Sequence, residues 1–549
     1  MTEPRPASFA GHSSRARSVR SASPRVGDNG QMRRFLLAVV AVGATLVAGC
    51  TIGSGAQQRA GSAGGQGSGG TASLVPVSAV RWHACGTTST SVLCGTLAVP
   101  LNYGDPNGRK IRLALSEVPA TAPASQRLGI LLVNPGGPGA SGISLASFVA
   151  QGLDPRVAAR YDVIGFDTRG VGSSVPAMHC DPAFFARERP DYIPANAAAE
   201  QVLVNRAKAY AADCQKRYGW LLPDMTTANI ARDLDQIRAA LGQRQLSYFG
   251  YSYGTYIGQV YATLFPHRVR RMVLDSTVDP TGVWYADNIG QDYAFQGRMR
   301  AFLRWVARYH GLYHLGTTSA QVSRSWYAAR ASLAANPVPQ GSGPSIGPDE
   351  FDDTFLVGGY DDQYWPGLAG ALASYLHSGS ASQLLTLFNQ AGKQSENEFA
   401  VYNAVECADV AWPRNWARWN SDTRKVYATA PFEAWDNAWF NAACAFWPVH
   451  GPARPLRIGA SGLPGILMLQ GTLDGATPYV GAQNAHRMLP TARMVVVLGD
   501  GNHGQSLVYP PNTCVNGYLN RYLASGALPS TPGLVNATCP ASRAPVPSG

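Results

Sequence analysis

What this 549-residue chain lacks narrows its function before any motif is considered. No cluster of basic residues occurs beyond residue 50. Seven arginines against Glu3 and Asp28 give residues 1 to 50 a net charge of +5, which leaves +6 of the formal +11 for the rest. That is an ordinary surface balance, and a nucleic-acid partner is not expected. There is no C-x-x-C pair, and His83 and His179 make no paired-ligand spacing with the cysteines, so neither a metal site nor a cofactor is expected. Internal repeats and sustained heptads are also absent, which excludes solenoids and coiled coils. Charged residues make up only 14% of the chain and hydrophobic ones 45%, a globular composition.

Apolar runs long enough to cross a bilayer comfortably are missing too. The nearest candidate follows Met32-Arg33-Arg34 and reads FLLAVVAVGATLVAGC, a charged start, a short apolar stretch and small residues before a cysteine. It reads as an export signal with Met32 as the true start, and its ending Leu46-Val47-Ala48-Gly49-Cys50 resembles a bacterial lipobox. Cleavage there would leave Cys50 lipid-modified and tie the chain to a membrane, and an uncleaved anchor is the other reading. Either one places the chain outside the cytoplasm. Beyond Cys50 the Gly/Ser-rich stretch 51–73 cannot bury enough apolar surface to order itself and reads as a tether.

With Cys50 set aside, eight cysteines remain, an even number that suits disulfides in an oxidising compartment. Short loops between sequence neighbours suggest Cys85 with Cys94, Cys180 with Cys214, Cys407 with Cys444, and Cys514 with Cys539. From about Leu74, short apolar runs alternate with amphipathic stretches, as in a mainly parallel sheet with crossover helices. The runs at Gly129 to Asn134, Tyr161 to Asp167, Leu246 to Gly250 and Met272 to Asp275 read as buried strands. Ile230, Leu234, Ile237 and Leu241 recur at helical spacing ahead of the third. Between residues 282 and 455 the strand pattern stops, and this part holds ten of the twelve tryptophans. It reads as a mainly helical cap whose tryptophans pack core and lid. Strand-like runs return at Gly465 to Gln470 and Arg493 to Leu498. The division expected is therefore a leader (1–50), the tether (51–73), a core in two parts (74–281 and 456–549) and an inserted cap (282–455).

The chemistry sits where these strands end. Gly250-Tyr251-Ser252-Tyr253-Gly254 matches G-x-S-x-G, whose glycines allow a sharp strand-to-helix turn that lifts a serine hydroxyl clear of the backbone. With 59 glycines in the chain such a pentapeptide would arise by chance roughly one time in two, so context decides. Here an apolar strand precedes it and a small-residue helix follows. Asp474 lies just after one returning strand and His503 just after the other. Serine, acid, histidine is the chain order of the α/β-hydrolase fold. Ser252 is thus the expected nucleophile, His503 its base and Asp474 the residue orienting the histidine. Thr477 could hold the Asp474 loop or be a plain turn residue. Asn134-Pro135-Gly136-Gly137-Pro138-Gly139 stands where this fold builds half of an oxyanion hole, and the donors expected are the N–H groups of Gly137 and Tyr253.

NPGGPG, Asp167-Thr168-Arg169-Gly170-Val171-Gly172-Ser173, GYSYG with the later VLDSTVDP (Val273 to Pro280), DGATP and GNHG together resemble tripeptidyl aminopeptidases. These are secreted actinobacterial enzymes related to prolyl aminopeptidases, and they include lipoprotein proteases and esterases of the mycobacterial envelope. The resemblance covers essentially all of the chain after the tether and implies release of short peptides from a free N-terminus. One departure is that prolyl aminopeptidases carry H-G-G-P-G where this chain has Pro135 to Gly139. Relatives hold the substrate ammonium with acidic cap residues, for which Glu406 and Asp409 are the candidates here, with solvated surface carboxylates as the other reading. Three functions fit: an aminopeptidase, an esterase acting on envelope lipids or small acyl esters, and an idle binding lipoprotein. The last is disfavoured because no triad member is lost.

Overall fold

The computed structural model describes residues 78–85, 91–340 and 345–547. The expected leader, the lipidation at Cys50 and the tether lie outside the described residues. Ten strands form one sheet: β1 (His83–Ala84), β2 (Leu93–Pro100), β3 (Lys110–Val118), β4 (Ile130–Asn134), β5 (Asp162–Phe166), β6 (Leu246–Tyr251), β7 (Val269–Asp275), β8 (Ile466–Gly471), β9 (Ala492–Leu498) and β10 (Ala537–Pro540). Their spatial order is β1-β2-β3-β5-β4-β6-β7-β8-β9-β10. β1 to β3 are antiparallel to their neighbours, and every pairing from β5 to β10 is parallel.

Successive strand side chains point to opposite faces, so each central strand feeds two cores. Leu132, Ile164, Tyr248, Leu274 and Met468 pack on one side with Ile230, Leu234 and Ile237 of helix α3 (Thr227–Ala240) and Ile257 of α4 (Tyr253–Leu264). Leu131, Val163, Phe249, Val273 and Leu469 pack on the other, against α1 (Leu145–Gly152) and α9 (Thr513–Ser525). The Thr226 hydroxyl accepts from Asn229 N–H and caps α3.

Between β7 and β8 the described chain is helical, apart from one bridge between Val338 and Ile346. Three of its helices matter below: α5 (Tyr285–Arg308), α6 (Pro348–Tyr360) and α8 (Ala434–Asn441). Phe302, Trp305, Trp326, Phe351, Phe355 and Leu368 are buried in a cluster separate from the sheet's cores. At about 1.5–3 kcal/mol per buried large side chain, such a cluster stabilises a folded body, not a loop.

The two bodies interleave. α7 (Glu396–Asp409) sends Phe399, Val401 and Val405 into the sheet's own core. Conversely, α2 (Ala197–Tyr218), in the excursion between β5 and β6 that the sequence groups with the core, packs Leu203, Val204 and Ala207 against Trp435, Trp439 and Ala442. Disulfides join Cys85 to Cys94, Cys180 to Cys214, Cys407 to Cys444 and Cys514 to Cys539.

Candidate active site

β6 ends at Tyr251 and α4 starts at Tyr253, so Ser252 alone makes the turn, at φ 54° and ψ −129°. A left-handed non-glycine residue costs about 1–3 kcal/mol. Its surroundings hold it there. Ser252 N–H donates to the Asp275 carbonyl at 3.0 Å, and the Ser252 carbonyl accepts from Thr255 N–H at 2.8 Å and Thr255 Oγ1 at 2.6 Å.

Asp474 follows β8, and the residue is 2% exposed. It accepts from Ala476 N–H at 2.9 Å, Thr477 N–H at 3.0 Å and Thr477 Oγ1 at 2.9 Å. His503 follows β9 with Nδ1 3.0 Å from both Asp474 oxygens. Burial pulls the imidazole toward its neutral form, but the Asp474 charge and hydrogen bond outweigh it and raise the pKa above the ordinary 6.5. For Asp474 burial acts upward, and the attraction of His503 with these hydrogen bonds brings the carboxyl below its usual value.

The histidine loop is braced from both bodies. His503 N–H donates to the Tyr360 carbonyl of α6 at 2.7 Å, and the Tyr360 ring meets the imidazole edge-on at 5.5 Å. From the core, Ser276 Oγ accepts from Gly504 N–H at 2.8 Å, and the Asp275 carboxylate accepts from Gln505 N–H at 2.8 Å and Ser506 N–H at 2.9 Å. Asp275 and Ser276 are residues whose role the sequence does not reveal, although both fall inside VLDSTVDP.

Ser252 and His503 wall one cavity of about 690 Å³. Among the described residues the Ser252 hydroxyl makes no hydrogen bond to the ring. Such contacts commonly tighten only once substrate is bound. Gly137 and Tyr253 wall the same cavity. Tyr253 is the first residue of its helix, so its N–H has no helical acceptor. Gly137 N–H also lacks a protein acceptor among the described residues. Gly136, at φ 104°, must be glycine for reasons of space as well, because a Cβ there would lie 2.8 Å from the Ser252 Cβ.

Seven carboxylates wall this cavity and no lysine or arginine does: Asp279, Asp287, Asp353, Glu398, Glu406, Glu433 and Asp436. Burial drives Glu398 up to about 7 and holds Asp287, Glu406, Glu433 and Asp436 well above the usual carboxylate range. Glu406 is 3% exposed, which rules out a solvated surface role, and it accepts from Asn288 Nδ2 at 3.4 Å. Asp409 corrects the expectation placed on it, since it is not among the residues walling the cavity. Its carboxylate accepts from Thr227 N–H at 2.7 Å and Trp284 Nε1 at 3.4 Å, and Thr227 Oγ1 in turn lies 2.7 Å from the Tyr253 hydroxyl. Asp409 therefore braces the residue after the serine. Of the ten cap tryptophans only Trp284 reaches the cavity wall. Tyr293 and Val480, 50% and 60% exposed, mark the mouth.

Comparison with known proteins agrees with this geometry. Residues 129–508 match the sequence profile of the alpha/beta hydrolase fold family. The chain is 40% identical over 462 residues to a tripeptidyl aminopeptidase of Streptomyces lividans, an alignment covering 81% of this chain and 84% of the relative. It is 32% identical over 479 residues to the serine protease Hip1 of Mycobacterium tuberculosis, covering 82% and 89%. A carboxylesterase B of the same organism is also 32% identical, over 454 residues, covering 80% and 85%.

Proposed function

We propose that this chain, which belongs to the α/β-hydrolase family and within it to the tripeptidyl aminopeptidase group, is a serine peptidase that releases short peptides from free N-termini. The observation that carries this reading is the acidity of the cavity: seven carboxyl groups and no lysine or arginine wall it together with Ser252, which suits a substrate that enters with a cationic end. Glu406, inside the cavity and rigidly backed by the Cys407–Cys444 disulfide, takes the ammonium.

In the reaction, Ser252 Oγ attacks the scissile carbonyl carbon while His503 Nε2 removes its proton. Asp474 holds the ring through Nδ1–H and stabilises the imidazolium. The N–H groups of Gly137 and Tyr253 bind the oxyanion. His503 then gives its proton to the departing amine, leaving the short peptide as an ester on Ser252. Water, deprotonated by the same imidazole, hydrolyses that ester and restores the serine. The helical segment 282–455 acts as the cap that selects substrate. The four disulfides indicate an oxidising compartment, and the lipobox at Cys50 supports a lipid anchor with 51–73 as tether.

A second reading, ester hydrolysis, is favoured by the carboxylesterase relative and by apolar wall residues such as Phe295, Leu356 and Phe440. Both readings use the same triad. Rates on matched tripeptide anilides with free and acetylated N-termini, beside a short-chain acyl ester, separate them. The expected result is cleavage of the free-amine anilide, much weaker cleavage of the acetylated one, and loss of both in Ser252→Ala. Ester turnover without anilide turnover would transfer the function to an esterase.

A further inference from the structure

One ammonium does not account for the acidity of this cavity. Two of its acids besides Glu406, Glu433 and Asp436, stand together where α8 begins. Both are buried, at 3% and 8% exposure. Glu433 occupies the N-cap position of α8 but makes no capping hydrogen bond, and its Oε1 has no hydrogen-bond partner at all in the described structure.

The arginines behind this pair are already committed. Arg189 pairs with Glu350 at 2.7 Å and Asp353 at 2.8 Å, and Arg330 pairs with Asp191 at 2.6 Å and Asp352 at 2.8 Å. The positive end of α8 offsets only a small part of the cost of burying two carboxylates. A capping or ion-pair role thus leaves Glu433 unexplained, whereas a cation arriving through the cavity would complete it. Tyr360 and Phe440 wall the same space and offer ring faces for a guanidinium or ammonium and apolar surface for its stem. Tyr360 also meets His503 edge-on and shares the cavity wall with the pair, so the acids open onto the same cavity as Ser252 and His503.

We propose that Glu433 and Asp436 form a specificity subsite for a lysine or arginine side chain within the N-terminal peptide that is released. The preferred substrates are then peptides with a basic residue close to a free N-terminus. This inference rests on the peptidase reading, with Glu406 holding the ammonium and the acid pair holding the side chain.

The test is kcat/KM on free-amine tripeptide anilides carrying lysine, or norleucine of matched length, at each of the three positions in turn. Wild type, Glu433→Gln and Asp436→Asn are compared, each with an acetylated control and a thermal melt. At one position wild type should prefer lysine by about tenfold or more, the value of a hydrogen-bonded charge. In both variants that ratio should fall to near parity while the preference for a free N-terminus survives. Tm should hold, since burial already favours the uncharged form of both acids and an amide of the same size replaces each. Absence of a lysine preference at all three positions, with free-amine selectivity intact, overturns the subsite alone. Loss of free-amine selectivity in the variants overturns it in favour of an ammonium site at the pair, and a lower Tm in both overturns it in favour of a structural role. Wild type that cuts acetylated and free peptides equally removes the free-N-terminus reading, and with it a subsite defined by distance from that terminus.

Discussion

At the scale of single residues, the site depends on the exchange between Asp474 and His503. In the proposed reaction the imidazole must be neutral to accept the serine proton, and its pKa is raised above 6.5 by the carboxylate 3.0 Å away. The acid limb of kcat/KM should therefore fall above pH 6.5, with activity lost as pH drops through it. Asp474→Asn removes the larger raising influences and leaves burial, which acts downward, against the weaker pull of Asp275, so the limb should move to lower pH while kcat drops by about 10⁴-fold. A pH profile of the two proteins checks both, and a limb that stays in place would mean another group titrates. The proposed triad is legible in the sequence because Ser252, Asp474 and His503 each follow an apolar run, in the order this fold uses. Glu433 and Asp436 were not legible, because acids at a helix start normally read as a cap or a solvated face. Asp409 misled for a similar reason: its neighbour Glu406 faces the cavity, but three residues on along α7 the carboxylate points to Thr227.

At the scale of elements, function depends on how closely the loop after β4 approaches the turn after β6. Gly136→Ala would press a methyl group against Ser252 and Tyr253 N–H in a backbone conformation that disfavours alanine. Activity should fall by about a hundredfold or more, the usual cost of disturbing an oxyanion donor, with the far-UV circular dichroism unchanged. Near-normal activity would show that this loop does not shape the oxyanion site. The strands that carry the site, β4 and β6 to β9, were readable as short buried apolar runs. β1 to β3 and β10 were not identified. β3 mixes exposed Lys110 and Arg112 with buried positions, and β10 spans only four residues. The excursion holding α2 was grouped with the core because sequence position says nothing about which body an apolar stripe will meet. Here it met the cap's tryptophans.

At the scale of the whole molecule, the interior holds an unusual load of acids. Asp292, Asp352 and Asp409 are all pushed by burial up to about 7, from the 3.8 expected of the unfolded chain. Between those values the folded state binds more protons than the unfolded one, so stability falls as pH rises toward 7 and levels off above it. The raised His503 acts in the same direction, and the lowered Asp474 in the opposite one at more acidic pH. Tm should be lower at pH 8 than at pH 5.5 in the absence of ligand. The reverse order would show that these carboxyls are compensated in solution.

The most direct test of the central claim uses an unmodified peptide of about twelve residues, with free or acetylated N-terminus, and mass spectrometry of the products. Wild type should release short fragments from the free N-terminus only, and Ser252→Ala none. Internal cuts, or equal processing of the acetylated peptide, would contradict an N-terminal exopeptidase.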